Sequence, residues 1–439
     1  MEMSRITGNI VFSDGVHPAV ILMEDGVIEE ISEADESFPD TELIFPGFID
    51  IHVHAREYPK PHGSDAEALK TWEAFCRKET FATAGRAALR GGVTLFAAMP
   101  NDPVPPDNAD SYALKESLTH SSACPVILLA AVTPRSEPWD DLPYKVYLDA
   151  KPSPVSFTSW RDLETVLSRY RGCRVFFHAE DPEILARNGS SGPRWKTRPA
   201  DAEIRAVDRL LDLTLKFDLR SHICHVSTEG AVELIDEYNR HVREIVTCEV
   251  TPHHLYFSVE DGDILCAGKR NSPVANLLDC NPPLRSEDDR RALVDSFKQG
   301  YVHILATDHA PHTLEDKARG APGMPHLDTV GSFVSWLVRD CGVPPYRIAE
   351  AFAVMPGWIM NPFLDVPVGD IDVGYEANFT VLDLSDSTLV EGSQIKGRGP
   401  LETRCGWSPF EGIRLPGAVK QTVVRGRALL SSGEGDRGS

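Results

Sequence analysis

The sequence lacks any apolar run near the roughly 18 residues that a membrane-crossing helix needs. Its start, Met1 to Gly15, holds no apolar core of signal-peptide length. Positive charge is scarce: 44 Lys plus Arg stand against 66 Asp plus Glu, a net −22. A surface so acidic repels phosphate backbones and anionic bilayers, which argues against nucleic acid and membrane as partners. The 9 cysteines are odd in number and irregular in spacing. They read as buried or metal-bound thiols in a reducing, cytoplasmic setting rather than as a disulfide scaffold. There is no low-complexity linker, and no repeat beyond an alternation of strand and helix patterns.

What is present is 439 residues of ordinary globular composition, 42% hydrophobic and 25% charged, enough for two to four domains. Residues 1–47 read as short strands, with a hairpin of Ala19–Met23 and Val27–Ile31 about Glu24-Asp25-Gly26. Residues 48–362 hold eight β-rich runs separated by helical patterns: Phe48–His54, Thr94–Met99, Val126–Val132, Lys145–Leu148, Arg174–His178, Arg220–Val226, Ile245–Val250 and His303–Thr307. Eight such units predict an α/β chain built on a (β/α)8 TIM barrel. The periodicity predicts one helix over Asp65–Arg90, stopped by Gly91-Gly92, and another over Pro199–Lys216. Residues 363–432 return to strands at Gly369–Ile371, Asn378–Leu384, Val419–Arg425 and Arg427–Leu430. The two β-rich ends are expected to pair into one small β-sandwich, leaving a polar, frayed tail at 433–439.

Residues of metal-ligand type gather where these strands end, the face on which barrel enzymes place their chemistry. His52 and His54 close the first run, and a side-chain period of two puts both on one face, here the barrel interior. His178 and Glu180 close the fifth, His222, Cys224 and His225 the sixth, and Asp308, His309 and His312 the eighth. Any one of these could be a capping or loop residue; four strand ends together suit a zinc-like divalent metal. Lys145 in the fourth run is either a snorkelling surface lysine or a lysine carboxylated by CO2, since a bare ammonium would be repelled by a dication.

These stretches carry a resemblance. Pro46-Gly47-Phe48-Ile49-Asp50-Ile51-His52-Val53-His54-Ala55-Arg56-Glu57, Ala98-Met99-Pro100-Asn101, Asn281-Pro282-Pro283-Leu284-Arg285 and Thr307-Asp308-His309-Ala310-Pro311-His312-Thr313 resemble the dihydroorotases of the amidohydrolase superfamily. Lys145-Val146-Tyr147-Leu148, His178-Ala179-Glu180, His222-Ile223-Cys224-His225-Val226 and Cys248-Glu249-Val250-Thr251-Pro252-His253-His254-Leu255 look like the dihydroorotase domain of the animal multifunctional pyrimidine enzyme.

The resemblance implies two divalent metal ions, zinc by default. His52 and His54 would hold the more buried one, and His178 and His225 the more exposed. A carbamate on Lys145 would bridge them, and Asp308 would bind metal and shuttle a proton. It implies Arg56, Asn101 and His312 as a pocket for a ring carboxylate, and Asn281 as the partner of a ring amide. The reaction implied is interconversion of L-dihydroorotate and N-carbamoyl-L-aspartate. A hydantoinase or allantoinase, and an inactive scaffold for aspartate carbamoyltransferase, are the alternatives; a homodimer and association with that transferase stay open. Two segments depart from the family pattern, 57–80 and 318–328, both beside the ring pocket. Cys224 with Glu249 could hold a third metal; the preferred reading is a buried thiol and a carboxylate that orients a ligand.

Overall fold

The computed structural model describes residues 3–61, 63, 65–242, 245–260 and 277–431. Eight strands are laid out in the order expected: Phe48–Val53, Val93–Ala98, Val126–Leu128 running on to Ala130–Ala131, Pro143–Leu148, Arg174–His178, Arg220–Ile223, Thr247–Val250 and Ile304–Leu305. Each pairs in parallel with the next. The ring closes where Val53 bridges His309 in parallel and the His54 amide donates to the His309 carbonyl at 2.8 Å. The strands are buried along almost their whole length. That is why they read as near-continuous apolar runs rather than as alternating ones. Their cover comes from helices such as Ala200–Phe217, whose Ala206, Val207, Leu210 and Leu211 join Phe48, Val146 and Phe177 in the main core.

The expected single helix over Asp65–Arg90 is two helices, Ala66–Cys76 and Phe81–Arg90. Thr80 breaks it. Its backbone is extended, and it forms a reciprocal cap with Thr83 at the start of the second helix. The carboxylate of Glu57 also accepts from the Phe81 amide at 2.9 Å, which requires that amide to be a free helix end.

The chain ends meet as expected. Met3–Phe12 pairs antiparallel with Gly15–Glu24, which pairs with Val27–Glu33. Glu42–Pro46 runs parallel to the first of these and antiparallel to Phe379–Glu391, which carries Arg414–Val424 and then Arg427–Ser431. Ile10, Ile21, Ile28, Ile44, Phe379 and Val381 give this sandwich an apolar core of its own. The strand expected at Gly369–Ile371 does not form. The side chain of Asn361 takes both backbone groups of Val368, at 2.9 and 3.2 Å, and Gly369 lies so close to Ala353 that a Cβ would meet its carbonyl at 2.4 Å. The frayed tail, like His62 and Ser64 in the departing loop, lies outside the described residues. Among those described, no helix is long and apolar enough to cross a membrane, and the cysteines are free thiols.

Candidate active site

Four imidazoles form a row across the top of the barrel. The His54 and His52 rings are 5.3 Å apart, His52 and His225 5.2 Å, and His225 and His178 4.7 Å. They arrive from the first, sixth and fifth strands. The eighth strand adds Asp308, whose Oδ1 lies 3.0 Å from His54 Nε2 and 3.3 Å from His52 Nε2. His52, His54 and Asp308 offer one ligand atom each, all mutually within 4.8 Å. At the other end, His178 Nδ1 and His225 Nε2 are 2.9 Å apart.

Lys145 is fully buried. Its ammonium meets the Cys224 sulfur at 2.8 Å and sits over the Tyr147 ring at 5.1 Å, and no carboxylate of the described residues forms an ion pair with it. Its charge acts on His52, on His225 and on Asp308, so it stands between the two halves of the row. A snorkelling surface lysine does not fit this burial. An ammonium buried without a carboxylate partner is costly.

Burial favours the neutral form of three of these rings. It pushes the His52, His54 and His225 rings below their ordinary range, and His225 is lowered further by His178 and His54 by Arg56. Neutral imidazole is the form that binds a metal. Burial also raises the Asp308 carboxyl, against the pull of His52.

Other carboxylates hold the row in place. Glu249 contacts His52 Nδ1 through one oxygen and His222 Nε2, at 2.9 Å, through the other. Burial works to raise its pKa, but the two rings outweigh it and keep the group ionised. His52, Cys224 and Glu249 also offer ligand atoms within 4.8 Å of one another. With both Glu249 oxygens already on imidazoles, its visible work is to orient His52. Glu180 does the same for His178 at 2.9 Å while accepting from Arg198 Nε at 2.9 and 3.0 Å. Asp50 ties the first strand to the eighth. It accepts from the amide and hydroxyl of Thr307 and from the His52 amide, and burial raises its carboxyl to about 7.

The backbone is special here too. Arg56, His225 and Asp308 all have positive φ, 60°, 39° and 43°, three of only six such non-glycine residues described. Left-handed backbone at side-chain-bearing residues is uncommon and gathers at functional sites.

Beside the His54 end lie the residues expected to hold a ring. Asn101 Oδ1 is 2.7 Å from His54 Nδ1. Arg56 Nη2 is 3.3 Å from His312 Nε2. Both are largely sequestered, yet among the described residues Arg56 Nε and His312 Nδ1 have no hydrogen-bond partner, and no carboxylate lies within ion-pair distance of Arg56. Among the described residues Asn281 shares no hydrogen bond with Arg56. It is held by Arg194, which donates from Nη1 to Asn281 Oδ1 at 2.9 Å and from Nη2 to the Gly320 carbonyl at 2.8 Å. Arg194 thereby joins three top-face segments. Sequence reasoning missed it, together with Arg198 and Asp50. Arg194 and Arg198 lie in a stretch rich in Gly, Ser and Pro, GSSGPRWKTRP, and the only signal was its place after the fifth strand.

Comparisons with known proteins bear on the family and the fold. Residues 43–144 match the model of the Amidohydrolase family. The chain is 31% identical over 438 residues to a dihydroorotase of Thermococcus kodakarensis, covering 98% of this chain and 95% of that one. It is 31% identical over 443 residues to one of Archaeoglobus fulgidus, covering 97% of each.

The chain belongs to the dihydroorotase-like amidohydrolases.

Solved structures agree on the fold. L-hydantoinase (dihydropyrimidinase) from Arthrobacter aurescens superposes with a TM-score of 0.81 at 23% identity, over 97% of this chain and 95% of that one. D-hydantoinase from Thermus sp. gives 0.76 at 21%, again over 97% and 95%. As an amidohydrolase the chain is a metal-dependent cyclic-amide hydrolase, and His52, His54 and Asp308 are candidate ligands.

Proposed function

We propose that this amidohydrolase is a dihydroorotase, opening the ring amide of L-dihydroorotate to N-carbamoyl-L-aspartate and closing it again. The observation that carries this reading is Arg56. A buried guanidinium with an unpartnered Nε, beside an unpartnered imidazole nitrogen of His312, is a prepared seat for an anion. A ring carboxylate fills it; hydantoin and dihydrouracil have none to offer.

The donor set fits two divalent ions. His52, His54 and Asp308 would hold one, His178 and His225 the other, and a carbamate on Lys145 would join them. When bound, such ions polarise the amide carbonyl and make a water acidic near neutral pH. The chain's own residues supply the rest. Arg56, Asn101 and His312 grip the carboxylate, and Asn281, steadied by Arg194, meets the ring amide. Asp308 accepts the attacking water's proton and returns it to the departing nitrogen, so one C–N bond breaks as one C–O bond forms. All six ligand candidates are present, which speaks against an inactive scaffold.

Kinetics of three variants on dihydroorotate test the reading. Asp308→Asn should collapse kcat with the fold intact. Lys145→Ala should lose one metal and most activity. Arg56→Ala should chiefly raise KM, at about 2–4 kcal/mol, or on the order of 30- to 1,000-fold in kcat/KM. It should leave turnover of dihydrouracil nearly unchanged. A wild-type enzyme that prefers hydantoin or dihydrouracil to dihydroorotate would overturn the reading in favour of a hydantoinase.

A further inference from the structure

Apart from the histidine row, a second cluster of ligand-type side chains is buried in the top face. His253 and His254 lie on the short helix Pro252–Tyr256, which follows the seventh strand; Cys280 precedes Asn281. One nitrogen of each imidazole and the Cys280 sulfur lie within 4.8 Å of one another. All three residues are almost wholly inaccessible.

The partners of these rings leave a nitrogen unused. His254 is occupied at both, with Thr251 Oγ1 at 2.8 Å from Nδ1 and the Pro282 carbonyl at 3.2 Å from Nε2. His253 Nδ1 meets His326 Nε2 at 3.0 Å, the two rings stacked 17° from parallel. Among the described residues His253 Nε2 has no partner. Only one proton fits between His253 and His326. If His253 donates it, His253 Nε2 is a bare lone pair shut away from water, and a cation satisfies it. If His326 donates it, His253 Nε2 carries a buried hydrogen with no acceptor; in the first arrangement His326 Nδ1, also without a partner among the described residues, carries the matching hydrogen, so the two are evenly placed until a cation takes the His253 lone pair. A bound cation would select the first arrangement, with His326 fixing the tautomer of a ligating histidine from behind.

We infer that His253, His254 and Cys280 form a further metal site, separate from the histidine row, for a thiophilic divalent ion such as zinc. Two imidazoles and a thiolate suit that ion, with water or the Thr251 hydroxyl as a fourth ligand. Bonds of about 2.0–2.3 Å place tetrahedral ligand atoms roughly 3.3–3.8 Å apart, so each side chain needs to move inward by only a fraction of its present separation. His254 would exchange one hydrogen bond for the metal. Such an ion would join residues 253–254 to residue 280 and fix the backbone next to Asn281. It is independent of which ring the enzyme opens.

Zinc content by elemental analysis, after metal-replete purification and desalting, tests the site on the full chain. Cys280→Ser and His253→Gln should each hold about one zinc fewer than wild type. Cobalt exchange gives a reading that needs neither variant. A sulfur-to-cobalt charge-transfer band should appear in the near ultraviolet and persist in Cys224→Ser, the other thiol near a candidate ligand set. Equal zinc in wild type and Cys280→Ser, or a band that vanishes with Cys224→Ser, would overturn the inference. Both readouts stand whether or not dihydroorotate proves to be the substrate.

Discussion

Arg194 shows how a residue that touches no candidate metal ligand can still shape the reaction. It fixes which end of the Asn281 amide accepts, leaving the NH2 group free to face a ring. On the proposed substrate, Arg194→Ala should therefore lower kcat/KM mainly through KM. The loss of a charge-assisted bond is worth about 1.5–3 kcal/mol, or roughly 10- to 150-fold. A change under twofold in steady-state kinetics would remove Arg194 from the pocket. Lys317 makes a prediction about stability instead. Its ammonium donates to the Asp279 and Gly323 carbonyls at 2.9 and 3.0 Å, and burial lowers it from 10.5 to about 8. Between those values the unfolded chain holds a proton that the folded chain has released, so this residue's contribution to stability rises with pH across that window. Lys317→Met should lose ground against wild type as denaturant unfolding is repeated from pH 7.5 to 10.5; a constant difference would contradict the assignment. The histidines and Asp308 were legible in the sequence because metal ligands at strand ends carry a residue-type signal. Arg194 and Lys317 were not, because their partners are backbone carbonyls and an amide more than 35 residues away or across a loop.

At the scale of elements, the eight strands were legible because burial on both faces makes them apolar runs of strand length. The break between Ala66–Cys76 and Phe81–Arg90 was not. Leu69, Trp72, Phe75 and Cys76, then Phe81, Ala84 and Ala88, keep nearly helical spacing across it. The cap pairs Thr80 with Thr83 rather than with a Glu or Gln, so the usual signature is missing. The break also supplies the free Phe81 amide that holds Glu57 next to Arg56. Removing the cap with Thr80→Ala should cost about 1 kcal/mol, and Thr80→Ser should retain most of it. Equilibrium unfolding in urea reads both; an unchanged midpoint for Thr80→Ala would mean that Glu57, together with Glu79, whose carboxylate accepts from the Thr80 amide at 3.2 Å, holds this helix start without the hydroxyl. Gly369–Ile371 was misread for a related reason. Gly369-Asp370-Ile371, with Val368 before it and Val373 after it, looks like a short strand, and nothing local announces that a side chain seven residues before Val368 will take that residue's hydrogen bonds.

For the whole molecule, the sequence revealed that both ends are β-rich but not their register, which depends on contacts across nearly the full length of the chain. Glu42–Pro46 pairs with Phe379–Asp383, and the barrel stands on this sheet. The Thr422 hydroxyl donates to the Leu89 carbonyl at 2.7 Å, and Thr380 Oγ1 accepts from the Phe48 amide at 3.2 Å. That pairing has a consequence in time. During synthesis the strand at Glu42–Pro46 leaves the ribosome with one edge open, and its partner lies more than 300 residues downstream. At roughly 5–20 residues per second the wait is on the order of 15–70 s. Over that interval the hairpin of Met3–Phe12 and Gly15–Glu24 can form alone, because its pairing is local. The strand beside it cannot be completed, and exposed strand edges invite association with other chains. Nascent chains stalled after residue 362 should therefore be cut by protease within residues 34–47, whereas chains carried past residue 424 should resist. Equal resistance at both lengths would mean that the open edge is covered from elsewhere while it waits.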